Sequence, residues 1–170
     1  YLSSALPGDA RQQLLQGFND GALLVNYVGH GGMDRLAQEG LLTVGDVGAL
    51  SNADRLPVVI TLTCVAGRFD VPGYECLGEA LVMQPAGGAI AFWGPSGLLL
   101  NGQSKALGQG FLRAALRPGN RVLGEVAIEA FRNSTGGDSS AGPLDLYNLL
   151  GDPALKLRPA ECATRGPRRP

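Results

Sequence analysis

The stretch "PVVITLTC", residues 57–64, decides the fold. It is β-branched and apolar, carries no charge and ends on a cysteine. A strand with one wet face alternates polar and apolar residues, so an unbroken apolar run predicts a strand covered on both faces. The flanking sequence repeats the pattern: "ALLVNYV" (22–28) and "GGAIAFWG" (87–94) read as two further buried strands. Helical spacing fills the intervals. Residues 8–19 carry Leu14, Leu15 and Phe18 on one helical face, with Asp9 as the cap. "TVGDVGAL" (43–50) reads as a short helix and "YECLGEALVM" (74–83) as an amphipathic one. Two more helices, near 101–116 and 121–132, flank the breaker "RPGN", and "PLDLYNLLGDPALKLR" (143–158) reads as a helical turn and a short strand. Strands alternating with helices predict an α/β domain with a mainly parallel sheet. A sheet of so few strands leaves one edge raw, so further strands are expected upstream of Tyr1.

Composition narrows the function. The chain has 170 residues, one domain's length, and 45% of them are hydrophobic. A formal net charge of −1 gives no whole-chain reason to expect nucleic acid or an anionic membrane as partner. The apolar runs stop well short of the roughly 20 residues a membrane span needs. Three cysteines (Cys64, Cys76 and Cys162) and a single histidine form no metal-site spacing, so neither a metal nor another cofactor is expected. The 26 glycines follow apolar runs, where tight turns join strands to helices. The Pro/Arg-rich tail, 159–170, is read as disordered.

Two of the three strands end on reactive residues: "LLVNYVGHGG" delivers His30 and "PVVITLTC" delivers Cys64. In an open parallel sheet, sites gather at the carboxyl ends of the strands. If the two strands are neighbours, both side chains reach one crevice and form a thiol nucleophile with an imidazole base. Each residue alone has a plainer reading, Cys64 as core and His30 as a surface loop residue. Other motifs carry less. "GHGGMD" has Asp34 where a dinucleotide loop needs its third glycine. "GPSG" offers Ser96 but lacks the G-x-S-x-G elbow. "NST" at 133–135 is a formal glycosylation acceptor, and Asp145 and Asp152 read as turn residues.

"NYVGHGG", then "TCVAGRFD", "LGEALVMQPAGGAIAFWGPSG" and "YNLLGDPALKL", taken in this order, resemble the gingipain family of cysteine peptidases of the caspase-like clan. The similarity runs from about residue 10 to about residue 158. It implies a three-layer caspase-like fold and a cysteine endopeptidase that cleaves protein or peptide substrates through an acyl-enzyme. By this resemblance Cys64 is the nucleophile, His30 the acid/base, and the amides of Gly31 and Cys64 form the oxyanion hole. It also offers Trp93 as a wall of the pocket for the residue before the scissile bond, with plain core packing as the equal alternative. Gingipains prefer Arg or Lys there, which requires an acidic pocket base; Asp70 is the one acid to consider. Catalytic domains of the family are longer. Residues 1–158 are therefore expected to be the C-terminal half, with the N-terminal half supplying strands, part of the pocket and an acidic orienter for His30. Cys76 stands where a small residue is expected and is read as helix packing. A secreted or surface location follows from the same resemblance. Two other readings stay open: a sorting transpeptidase of a secretion system, and an inert module of a large surface protein.

Overall fold

The computed structural model describes residues 7–98, 101–119, 121–134 and 145–157. The tail expected to be disordered, Cys162 and Thr135 of the glycosylation acceptor lie outside them. The central sheet has the order β1 (Leu24–Val28), β4 (Val58–Leu62), β5 (Ala91–Pro95), β7 (Tyr147–Gly151). The first three strands run parallel and β7 is antiparallel to β5. All five residues of β4 and all five of β5 are buried, as an uncharged apolar run requires.

Helices cover both faces. On one side lie α1 (Pro7–Asp20), the single-turn α2 (Val44–Val47) and α3 (Leu77–Met83). Phe18, Val47, Leu77 and Leu81 pack there with Val59 and Phe92. On the other side lie α4 (Asn101–Leu116) and α5 (Leu123–Ser134), whose Leu107, Phe111, Leu123 and Val126 pack on Val58, Ile60, Leu62 and Trp93. The alternation of side chains along β4 thus feeds two cores, which makes the domain three-layered. Short antiparallel pairs complete it: β2 (Arg35–Leu36) with β3 (Leu42–Thr43), and β6 (Arg121–Val122) with β8 (Lys156–Leu157).

Two expectations are corrected. The first helix begins at Pro7, so Asp9 lies in its first turn, where its charge favours the helix dipole, and does not cap it. The helix expected from residue 74 starts at Leu77, because Glu79 accepts the Cys76 backbone N–H at 2.9 Å and closes that end. The helical turn and short strand expected within 143–158 are present: residues 145 and 146 are helical, and β7 follows, pairing with β5 from Ala91↔Gly151 to Pro95↔Tyr147. Cys76 is fully buried at the head of α3, and burial pushes its thiol up to about 11, which fits a packing role.

Candidate active site

β1 and β4 keep one register, from Leu24↔Val58 through Val28↔Leu62. The Gly29 N–H donates to Leu62 O at 3.2 Å and carries the ladder one step further. The same offset leads to His30 and Cys64, two residues past the last paired positions. Val28 and Leu62, the last pair, lie on one side of the sheet. That side faces α4. His30 is exposed and Cys64 partly exposed, so solvent reaches both.

The loop that holds His30 is fixed through its backbone. The His30 carbonyl accepts from the Tyr27 hydroxyl at 2.6 Å and from the Ala37 N–H at 2.8 Å. A Cβ at Gly29 would stand 2.7 Å from that hydroxyl, so only glycine leaves it room. Gly31 is tighter still: a Cβ would come within 2.5 Å of Thr63 Oγ1 and 3.0 Å of the Arg35 carbonyl. The loops after β1 and β4 therefore pack against each other at the residue that follows His30 and the residue that precedes Cys64. Among the described residues, neither the Gly31 nor the Cys64 amide donates a hydrogen bond. Two free N–H groups beside a thiol are what an oxyanion needs.

Cys64 sits at a strained turn. Val65 has φ 47°, a left-handed conformation that a β-branched side chain rarely adopts, and its N–H donates to Gly97 O at 3.3 Å. Behind the turn stands Tyr147, whose phenol is pushed far up, chiefly by burial; the nearby Cys64 charge adds to the shift and a hydrogen bond with Ser104 opposes it. The Tyr147 hydroxyl donates to Thr61 O at 3.1 Å. β7, the first turns of α4 and the end of β4 therefore meet beside the thiol. No hydrogen bond joins the imidazole to the thiol among the described residues, and no described carboxylate orients the imidazole.

A cleft of about 540 Å³ opens from His30 along α4, with Val28 and Leu62 in its floor. Trp93 does not line it. Its indole is 1% exposed and packs on Phe111 (centroids 4.5 Å), Tyr147 (4.8 Å) and Phe131 (5.9 Å). The expectation of a substrate wall is therefore corrected: β5 continues two residues past Trp93, which leaves the ring in the core. Asp70 is exposed, pairs with Arg68 at 3.1 Å and lies outside the cleft lining. The Ser96 hydroxyl donates to Leu146 O and accepts from Asn148, which makes it a structural tie. Asp152 accepts the Ala154 N–H, as a turn residue does. No group of His, Cys, Asp or Glu able to hold a metal occurs among the described residues. Sequence reasoning missed Thr63, Val65, Ser104, Lys105 and Tyr147; of these only Thr63 and Val65, adjacent to Cys64, carried a positional signal.

Comparison with known proteins follows this geometry. The chain is 28% identical over 164 residues to gingipain R2 of Porphyromonas gingivalis, covering 89% of this chain and 22% of that protein. It has the same identity to gingipain R1 of that organism, covering 89% of this chain and 16% of the relative. It thus spans about a fifth or less of the curated relatives it matches. Its fold is similar to the complex of Porphyromonas gingivalis RgpB pro- and mature domains, with a TM-score of 0.79, 23% identity, and coverage of 87% of this chain and 37% of that one. The crystal structure of the Arg specific cysteine proteinase gingipain R gives a TM-score of 0.78 at 23% identity, over 87% of this chain and 36% of that chain. These likenesses make the three-layer architecture a caspase-like fold. The model of "Peptidase family C25" matches residues 2–158, nearly all of the sequence from which the paired strand ends and their loops are built, and the chain belongs to that family.

Proposed function

We propose that this chain carries the chemistry of a cysteine endopeptidase, with Cys64 as nucleophile and His30 as general acid and base. The observation that supports the reading is the shared register of β1 and β4, from Leu24↔Val58 to Val28↔Leu62, whose ends lead within two residues to His30 and to Cys64. His30 takes the thiol proton and the Cys64 thiolate attacks the scissile carbonyl. The Gly31 and Cys64 amides receive the negative charge that develops on the carbonyl oxygen. The imidazolium gives its proton to the leaving amine, which leaves an acyl-enzyme. The imidazole then takes a proton from water as the hydroxide attacks the thioester, and returns it to the departing thiolate.

On this reading residues 1–158 are the C-terminal half of a catalytic domain. The N-terminal half covers the free edge of β1 and supplies the carboxylate that orients His30. A secreted or cell-surface location fits the same reading; no described helix is long and apolar enough to cross a membrane. The test is thiol reactivity in the full-length protein. His30→Ala is expected to slow alkylation of Cys64, because the imidazole no longer takes up the thiol proton, and to leave Cys76 unchanged. Equal rates of Cys64 modification in wild type and variant, counted by mass spectrometry, refute the dyad.

A further inference from the structure

Resting on the peptidase reading, we propose that Tyr27 is a positioning residue for the oxyanion hole. Its hydroxyl pins the peptide unit between His30 and Gly31, and so presents the Gly31 N–H to the carbonyl oxygen under attack. The His30 carbonyl and the Gly31 N–H lie on opposite sides of one planar trans peptide, so whatever holds the oxygen also aims the hydrogen. Two donors hold that oxygen: the Tyr27 hydroxyl at 2.6 Å and the Ala37 N–H at 2.8 Å.

The surrounding backbone gives the direction of the N–H. The Ala37 N–H donates to His30 O and the Gly32 N–H to Arg35 O at 2.9 Å, which makes Gly31 and Leu36 a bridge pair between antiparallel segments. In a pair of this kind the flanking residues make the bonds, and the N–H of each central residue points away from the other segment. The Gly31 N–H therefore leaves this small ladder and stays without an acceptor among the described residues. Tyr27 braces the unit from the opposite layer, where its half-buried ring packs on the core formed with α1, α2 and α3. Burial raises the Tyr27 phenol above its ordinary value; the Ala37 N–H opposes the shift and the Glu39 charge adds to it. The hydroxyl thus keeps its proton at neutral pH and donates. With Phe at this position the ring stays, but only the Ala37 N–H holds the oxygen and the peptide plane can tilt.

The full-length protein is given a proteome-derived peptide mixture, and a peptide whose cleavage Cys64→Ala abolishes becomes the substrate. Tyr27→Phe is expected to lower kcat on it by about tenfold with KM nearly unchanged, since a misaimed oxyanion donor is missed only in the transition state. Alkylation of Cys64 by iodoacetamide builds no oxyanion, so its rate should match the wild type. A loss of packing or a displaced imidazole would move both readouts. Gly29→Ala reaches the same bond by another route, because its Cβ would stand 2.7 Å from the Tyr27 hydroxyl. It should lower kcat in the wild type and add little in Tyr27→Phe. An unchanged kcat in Tyr27→Phe, a kcat that falls together with Cys64 alkylation, or strictly additive losses in the double variant overturn the assignment of Tyr27. The peptidase reading then still stands on the Cys64-dependent cleavage. A wild type that cleaves no peptide, or cleavage that survives Cys64→Ala, overturns both.

Discussion

Gly31 is where the two loops of the site press hardest on each other, and Gly31→Ala tests whether that contact sets the chemistry. The added methyl would lie 2.5 Å from Thr63 Oγ1, 3.0 Å from the Arg35 carbonyl and 3.4 Å from Thr63 Cγ2. Two of the three offending atoms belong to one side chain, next to Cys64. Thr63 is 4% exposed and cannot swing into solvent, so the strain must shift the loop of His30 or the end of β4. Overpacking of this size costs about 1–3 kcal/mol of stability. On the proposed reading the Gly31 amide is an oxyanion donor, and displacing it is expected to lower kcat by about a hundredfold. Thr63 Oγ1 has no hydrogen-bond partner among the described residues, so Thr63→Ala breaks no bond and removes both contacts. The double variant should therefore recover most of the stability and rate that Gly31→Ala loses, with a coupling of about 1–2 kcal/mol. The residual loss belongs to the Arg35 carbonyl. Denaturant unfolding and, on the proposed reading, single-turnover acylation of the four proteins complete the cycle in the full-length protein. Strictly additive effects would refute the reasoning, because they would mean that the loops do not meet through Thr63.

Trp93→Ala should cost about 3–5 kcal/mol, since it empties the space between Phe111, Phe131 and Tyr147; urea unfolding followed by circular dichroism measures it, and a raised KM at unchanged stability would restore the ring to the substrate pocket. Asp46 is held below the ordinary carboxylate range: burial alone would raise it, but hydrogen bonds from Thr43 and Arg11 outweigh that. Its contribution is present above the unfolded value of about 3.9 and is lost as pH falls through the folded one. Asp46→Asn is therefore expected to flatten the acid limb of a stability–pH curve, and an unchanged limb would discount the Arg11–Asp46 pair. The Cys76 thiol, raised to about 11 by burial, stabilises the fold below its unfolded pKa and ceases to as pH climbs toward that value. Native alkylation at neutral pH should pass it by, and modification at the rate of Cys64 would contradict its burial.

The strand ends were legible because they follow from local chemistry. An uncharged β-branched run has no stable place except between two helical layers, and Val58–Leu62 lies there. His30 and Cys64 stood out because each follows such a run into a glycine-containing loop. The turn and strand of 143–158 were legible as elements but their boundary was not: "LYNLL" carries apolar residues at both helical and alternating spacing, and pairing with β5 fixes where the strand begins. Trp93 was misplaced for a related reason. The reading stopped the third strand at Gly94, which put the ring at a rim, whereas the ladder runs to Pro95 and holds it over α4 and α5. Lys105 could not be read at all, since the face of α4 that meets the end of β1 depends on how the helix packs.

The turn after Cys64 shows why register alone does not make a site. A strand that simply continued past Thr63 would carry the thiol on along the sheet. Val65 breaks the extended path at φ 47°, at a cost of order 1–3 kcal/mol, and the next residues fasten the bend on two sides. Val65 and Gly67 donate to Gly97 and Pro95, beyond and at the end of β5, while the Ala66 carbonyl accepts from Gly78 in the first turn of α3. Three bonds to two other elements hold a conformation that the side chain itself resists. Glycine would adopt this bend freely, but it would adopt others as well, and the position of Cys64 would spread with them. A valine forced into place leaves one arrangement. The strain thus belongs with the glycines across the gap: Gly29 and Gly31 yield so that the His30 loop can come close, and Val65 does not yield, so that Cys64 stays where that loop can reach it.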